Sequence, residues 1–272
     1  MVQSALASEF GVVEGTLEHG MPYLAVGAGR PLVFLRWFTP EFANPTGWMR
    51  ESEIKTLKPL AERFRVYAVN RSPGTPAGVT MAEIAAQHAE ALRAEFGEPV
   101  DVVGVSSGGS IALQLAADHP EVVRRLVTVA SGYRLEPRTR AVQSKYMAAV
   151  AANRRGLHHG AAIIHKSAVK ARATAALMWL ADPFVRPADP AAMLNFLRAE
   201  DRFDLSGRLG EISAPTLVLG GDEDACYSVE NFRHTAAGIP DGRAIVYPGA
   251  THMGAIKDPR LLSDLLEFLT TD

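Results

Sequence analysis

Cysteine is almost absent: Cys226 stands alone in 272 residues. That excludes an intrachain disulfide framework and suits a reducing compartment, so a cytoplasmic location is expected. Long apolar runs are missing too. No uninterrupted stretch approaches the roughly 20 residues of a spanning helix, and the opening MVQSALASEFGVVEG has neither a basic region nor a sustained apolar core. Neither membrane insertion nor export is expected. An excess of one charge is also lacking, since 28 Lys+Arg face 30 Asp+Glu without a long run of either sign. A phosphate-backbone partner or a polybasic membrane anchor would require such a run, so no nucleic-acid or membrane partner is expected. No repeat of fixed period and no low-complexity segment occurs. What is plentiful is apolar content, 47% of the chain, enough for one large domain or a domain with an insertion.

The apolar residues are organised in two ways. From Gly11 to Gly27, GVVEGTLEHG and MPYLAVG alternate apolar with polar and predict a hairpin at a sheet edge. Beyond it come PLVFL (31–35), VYAV (66–69), VDVVGV (100–105), RLVTVA (125–130), TLVLG (216–220) and AIVYP (244–248). These short β-branched runs scarcely alternate, as expected of strands covered on both faces. Helical stretches separate them. One starts at Thr80, whose spacing to Glu83 makes a capping box, with Ile84, His88 and Leu92 on one stripe. Another is expected from Asp258, with Pro259 in its first turn and Leu261, Leu262, Leu265 and Phe268 buried. Strands alternating with helices predict a mainly parallel sheet with helices on both faces. From about Tyr133 to Leu209 no strand is expected, only helical sequence broken near Gly156 and Asp182.

Within VDVVGVSSGGSI the pattern Gly-x-Ser-x-Gly is centred on Ser106, between Gly104 and Gly108. At a sharp strand-to-helix turn the residues two before and two after the nucleophile approach closely, and glycine avoids the clash. Ser107 has Val105 in the first of those places and fits badly. A short motif recurs by chance, and a glycine-rich βα turn without chemistry is the alternative. The strand before it and the helix after it favour the nucleophile. A serine also requires a base and an acid to orient that base. GATHMG places His252 after AIVYP, and GDEDACYS offers Asp222, Glu223 and Asp224 after TLVLG. All lie at carboxyl ends of strands, where an open α/β sheet assembles its ligands. His158, His159 and His165 have no carboxylate or thiolate cluster beside them, so no metal is expected. His88 and His119 read as packing and helix-end residues, and Cys226 as a small apolar filler.

With these motifs the chain resembles the α/β-hydrolase family: GVSSG at the turn, PTLVLGGDED, GATH, and the order serine, acid, histidine. The resemblance implies a doubly wound, mainly parallel sheet of eight-stranded type, with residues 1–132 and 210–272 as core and 133–209 as a helical cap. It places the acid on Asp224, with Asp222 as the fallback. It implies an oxyanion hole formed by the N–H groups of Ser107 and Phe38. Family members commonly carry His-Gly before the second donor, where this sequence has Arg36-Trp37. Tryptophan in place of glycine restricts the backbone, and the pair either impairs the hole or shapes the pocket. Arg36, Trp37, Met178, Trp179 and Met253 are the candidate substrate-pocket residues.

The activity implied is that of a cofactor-free serine hydrolase on an ester, thioester, lactone or related carbonyl bond of a small apolar or aromatic molecule. The alternatives are a ligand-binding member without turnover, and C–C hydrolase, perhydrolase or lyase chemistry on the same triad. A small-molecule substrate is the partner implied, and a homodimer is left open.

Overall fold

The β-branched runs form the interior of one sheet. The computed structural model describes residues 11–165, 167–187 and 190–271. Its strands are β1 (Val13–Thr16), β2 (Pro22–Val26), β3 (Pro31–Leu35), β4 (Arg65–Val69), β5 (Val100–Val105), β6 (Val123–Val129), β7 (Thr216–Gly221) and β8 (Gly242–Tyr247). They lie in the order β1-β2-β4-β3-β5-β6-β7-β8. The first hairpin is antiparallel and joins β4 antiparallel; every later pairing is parallel.

Alternate residues of a strand face opposite ways, and here both faces are dry. In β3, Val33 and Leu35 enter one apolar cluster while Leu32 and Phe34 enter another; in β5, Val102 and Val103 divide the same way. This is why these runs read as continuous rather than alternating.

The helices are α1 (Gly47–Ala61), α2 (Met81–Phe96), α3 (Ser107–Asp118), α4 (Pro137–Ala151), α5 (Ala161–Ile164), α6 (Ala168–Ala181), α7 (Pro190–Asp201), α8 (Val229–Gly238), α9 (His252–Ile256) and α10 (Leu261–Thr270). At the start of α2, Thr80 N–H donates to Glu83 Oε2 at 2.7 Å and Glu83 N–H donates back to Thr80 Oγ1 at 3.2 Å. Ile84, His88 and Leu92 are its buried stripe. Burial pulls His88 down to about 4, so its ring is neutral.

The last helix differs from the expectation. It begins at Leu261, because the Asp258 carboxylate accepts from Arg260 N–H at 3.0 Å and from its guanidinium at 2.8 Å, holding 258–260 in a turn. Between β6 and β7 the described residues form no strand, only helices joined by turns, and one antiparallel bridge, Arg134 with Asp204, ties the segment's departure to its return. Among the described residues no helix is long and apolar enough to cross a membrane.

Candidate active site

The turn from β5 into α3 places Ser106 at φ 52° and ψ −119°, a conformation that side chains with a Cβ rarely adopt. Three backbone hydrogen bonds hold it: Ser106 N–H donates to Val129 O at 2.9 Å, and the N–H groups of Gly109 and Ser110 donate to Ser106 O at 2.7 and 3.3 Å. The flanking glycines make the turn fit. A Cβ on Gly104 would lie 2.5 Å from Gly108 O, and one on Gly108 would lie 2.2 Å from Leu35 O. The turn is therefore pressed against the end of β3 as well as closed on itself.

Two other strand ends supply the partners. The loop after β7 directs Asp224 inward, where Oδ1 accepts the N–H groups of Cys226 at 2.7 Å and Tyr227 at 3.1 Å. That leaves Oδ2, which lies 2.8 Å from His252 Nδ1. Asp222 turns the other way and accepts Gly249 N–H at 2.6 Å. His252 is the first residue of α9, and its Nε2 lies 3.0 Å from Ser106 Oγ. A carboxylate at Nδ1 favours the tautomer with the proton there, leaving Nε2 to accept from the serine hydroxyl.

Asp224 and His252 are both buried. Burial is the largest single influence on His252 and disfavours its charged form. The Cys226 sulfur and the Asp224 carboxylate outweigh it, and the ring is held well above the ordinary histidine value.

The loop after β3 crosses beside the nucleophile. The structure resolves what Arg36 does there: it is buried and pairs with Glu53 of α1, while Nη1 donates to Asn44 Oδ1 at 3.0 Å. Trp37 packs edge-on to Phe34 at 6.2 Å between ring centroids. Phe38 goes to the opposite side, stacked on Phe196 at 6.5 Å and edge-on to Tyr146 at 6.3 Å. Arg71, from the end of β4, lies over Phe196 at 4.1 Å and donates through Nη2 to Thr39 O at 2.7 Å. The N–H groups of Phe38 and Ser107 find no acceptor among the described residues. Two backbone donors are thus unused, one in the residue after a serine whose hydroxyl faces an imidazole and one in the loop after β3.

Below the turn, Ser110 Oγ donates to the buried Glu200 Oε1 at 3.4 Å. Burial raises this carboxyl, against the opposing influence of Ser107, Arg71 and Ser110. A cavity of about 630 Å³ opens on the Trp37 side. Arg36, Trp37, Trp48, Met49 and Phe184 border it, whereas Ser106, Asp224 and His252 do not. Of the remaining pocket candidates, Met253 is exposed beside His252, and Trp179 is exposed under the Arg155 guanidinium at 3.7 Å. Met178 packs toward Gly160, and none of these three borders the cavity.

Four neighbours of the site escaped the sequence reading. Glu53 left a signal: with Leu57 and Leu60 it falls at i, i+4, i+7, so a carboxylate stands on a buried stripe. Cys226, read as filler, places its sulfur within 4.8 Å of a His252 ring nitrogen and helps to raise that ring. Glu200 and Arg71 are brought near enough to influence each other's charge only by tertiary packing, and nothing local announces it.

The family model described as "Alpha/beta hydrolase family" matches residues 19–265. RutD of Yersinia enterocolitica, which carries the provisional name carbamate hydrolase, is 29% identical over 240 residues, 79% of this chain and 81% of its own. The pimeloyl-[acyl-carrier protein] methyl ester esterase of Chromobacterium violaceum is 31% identical over 224 residues, 78% of this chain and 87% of its own. A crystal structure of a hydrolase from Pseudomonas aeruginosa superposes with a TM-score of 0.73 at 22% identity, over 96% of this chain and 98% of the other.

Proposed function

The chain belongs to the alpha/beta hydrolase family, and on that footing we propose that it is a cofactor-independent serine hydrolase. Its substrate is an ester, thioester, lactone or related carbonyl compound with a small apolar or aromatic group. One observation carries the reading: the continuous line from Ser106 Oγ to His252 Nε2 at 3.0 Å and from His252 Nδ1 to Asp224 Oδ2 at 2.8 Å.

Ser106 Oγ attacks the carbonyl carbon while its proton passes to His252 Nε2. The imidazolium so formed is stabilised by Asp224, which stays ionised. Charge moves onto the carbonyl oxygen, where the N–H groups of Phe38 and Ser107 receive it. The tetrahedral species collapses, His252 gives its proton to the departing oxygen, sulfur or nitrogen, and an acyl-serine remains. Water, deprotonated by the same imidazole, attacks the acyl carbon and returns Ser106. Serine, imidazole and carboxylate complete every proton transfer, so no cofactor is called for.

Two features support turnover over mere binding. Arg36 is tied to Glu53, and Phe38 keeps an unoccupied N–H although Trp37 stands where glycine is common. The methyl ester and carbamate in the relatives' names both place a heteroatom leaving group on the carbonyl, which favours such substrates over C–C cleavage.

The test is fluorophosphonate labelling together with hydrolysis of short-chain p-nitrophenyl esters. Wild type should label and turn over, and Ser106→Ala should do neither. A wild type that neither labels nor cleaves any ester of such a panel would sink the reading.

A further inference from the structure

The thiol of Cys226 has no part in the proposed hydrolysis, yet its sulfur lies within 4.8 Å of a ring nitrogen of the histidine that drives it. Asp224, Cys226 and His252 each bring one ligand atom to within 4.8 Å of the others, and all three residues are buried. Asp224 and Cys226 come from one loop, two residues apart, and His252 from the next strand end. Thiolate, imidazole and carboxylate are the donor types of zinc sites. We propose that Asp224, Cys226 and His252 bind one soft divalent cation of the zinc or cadmium class, and that its binding switches off Ser106.

The charges fit. A thiolate and a carboxylate supply two negative charges and the imidazole none, so a divalent cation leaves the buried cluster neutral and avoids the cost of an isolated buried charge. The distances fit after small adjustments. Bond lengths of about 2.0–2.3 Å in a tetrahedral site imply ligand atoms about 3.3–3.7 Å apart; the flexible Cys226 side chain and its loop reach this by closing about 1 Å, and His252 Nδ1 and Asp224 Oδ2, now 2.8 Å apart, by opening about 0.5 Å. Cys226 Sγ gives up its hydrogen bond to Ile163 O, 3.4 Å away.

The proton balance explains the switch. The Cys226 thiol proton leaves to solvent, and the single proton of the neutral imidazole moves from Nδ1 to Nε2. Sγ, Nδ1 and Oδ2 each donate an electron pair to the cation, whose oxidation state does not change. Nε2 then faces Ser106 Oγ as a donor and cannot take its proton, so the hydroxyl is not activated. The switching half of this inference rests on the serine-hydrolase reading; the binding half does not.

The test separates the two halves. Titrating wild type with cadmium chloride should produce the ultraviolet charge-transfer band of a cadmium thiolate, saturating at one ion per chain. Cys226 is the only cysteine in the chain, so the band has one source. In parallel, zinc chloride should lower p-nitrophenyl acetate hydrolysis tenfold or more, with recovery on adding EDTA. Cys226→Ser, measured against its own metal-free rate, should require at least tenfold more zinc. Absence of the band at saturating cadmium on wild type overturns the site, and zinc sensitivity unchanged in Cys226→Ser overturns it as well. A band accompanied by unaltered hydrolysis overturns the switch. A band on a protein that hydrolyses nothing supports the site and sinks the hydrolase reading instead.

Discussion

Arg36 and Glu53 meet as fork and carboxylate: Nε lies 2.7 Å from Oε1 and Nη2 lies 2.7 Å from Oε2. Both side chains are buried. The pair clamps the loop after β3 onto α1, next to the residue proposed to supply an oxyanion donor. The cation in the Arg36-Trp37 segment is therefore a brace for the backbone rather than a free charge at the site.

Removing one partner strands the other in a dry place. Glu53→Ala should lose about 3–5 kcal/mol of stability, read as a lower urea midpoint. Replacing both, as Arg36→Met with Glu53→Leu, should recover much of that loss. In folded Glu53→Ala the hydrolysis rate should fall more through kcat than through KM, because the brace acts on a donor used in the transition state.

Gly108 is the contact between the nucleophile's turn and β3. With Leu35 O only 2.2 Å from its missing Cβ, Gly108→Ala must push two backbones apart. Its melting temperature and kcat should both drop, and a variant matching wild type in both would contradict the packing described here.

The two aspartates of GDED should separate sharply. Asp224→Asn should reduce kcat by about four orders of magnitude, through the wrong imidazole tautomer. Asp222→Asn, altering a carboxylate bonded to Gly249 N–H, should stay within a few-fold of wild type. A stopped esterase assay on both variants decides the acid.

The pH profile follows from His252. Hydrolysis requires the ring neutral, and the folded protein holds it well above the ordinary histidine value. The rate should be full on the alkaline side and lost as pH falls through that raised value, so the acid limb of kcat/KM should lie above about 6.5. Cys226→Ala removes one of the influences raising the ring and should move the limb to lower pH.

Phe196 stacks on Phe38 and lies under Arg71. Phe196→Ala should cost about 3–5 kcal/mol in chemical denaturation. Phe196→Leu, which keeps most of the volume, should cost less.

Much of this architecture was legible because its signals are local. β-branched runs marked strands dry on both faces, Thr80 and Glu83 marked the start of α2, and Gly104 and Gly108 singled out Ser106 from Ser107. The final helix was placed three residues early, since Asp258 and Pro259 resemble a helix start, whereas the carboxylate bonding Arg260 N–H makes a turn. Choosing Asp224 over Asp222 from spacing alone was beyond local reasoning. The decision lies in which carboxylate points toward His252, and the loop's own hydrogen bonds to Cys226 and Tyr227 set that direction. The Arg36 pairing was hidden for a similar reason: its partner is 17 residues away, on an element whose orientation follows from packing.

The helices between β6 and β7 do not form a uniform module. α7 buries Met193, Phe196, Leu197 and Ala199 in the same cluster as Leu35 and Val102 of the sheet, and its Glu200 reaches Ser110. α6, by contrast, buries no residue fully. For an engineer exchanging this region to alter substrate range, the splice points lie inside it: a donor segment replacing α6 meets few commitments, whereas one that also replaces α7 takes away part of the floor on which the nucleophile stands.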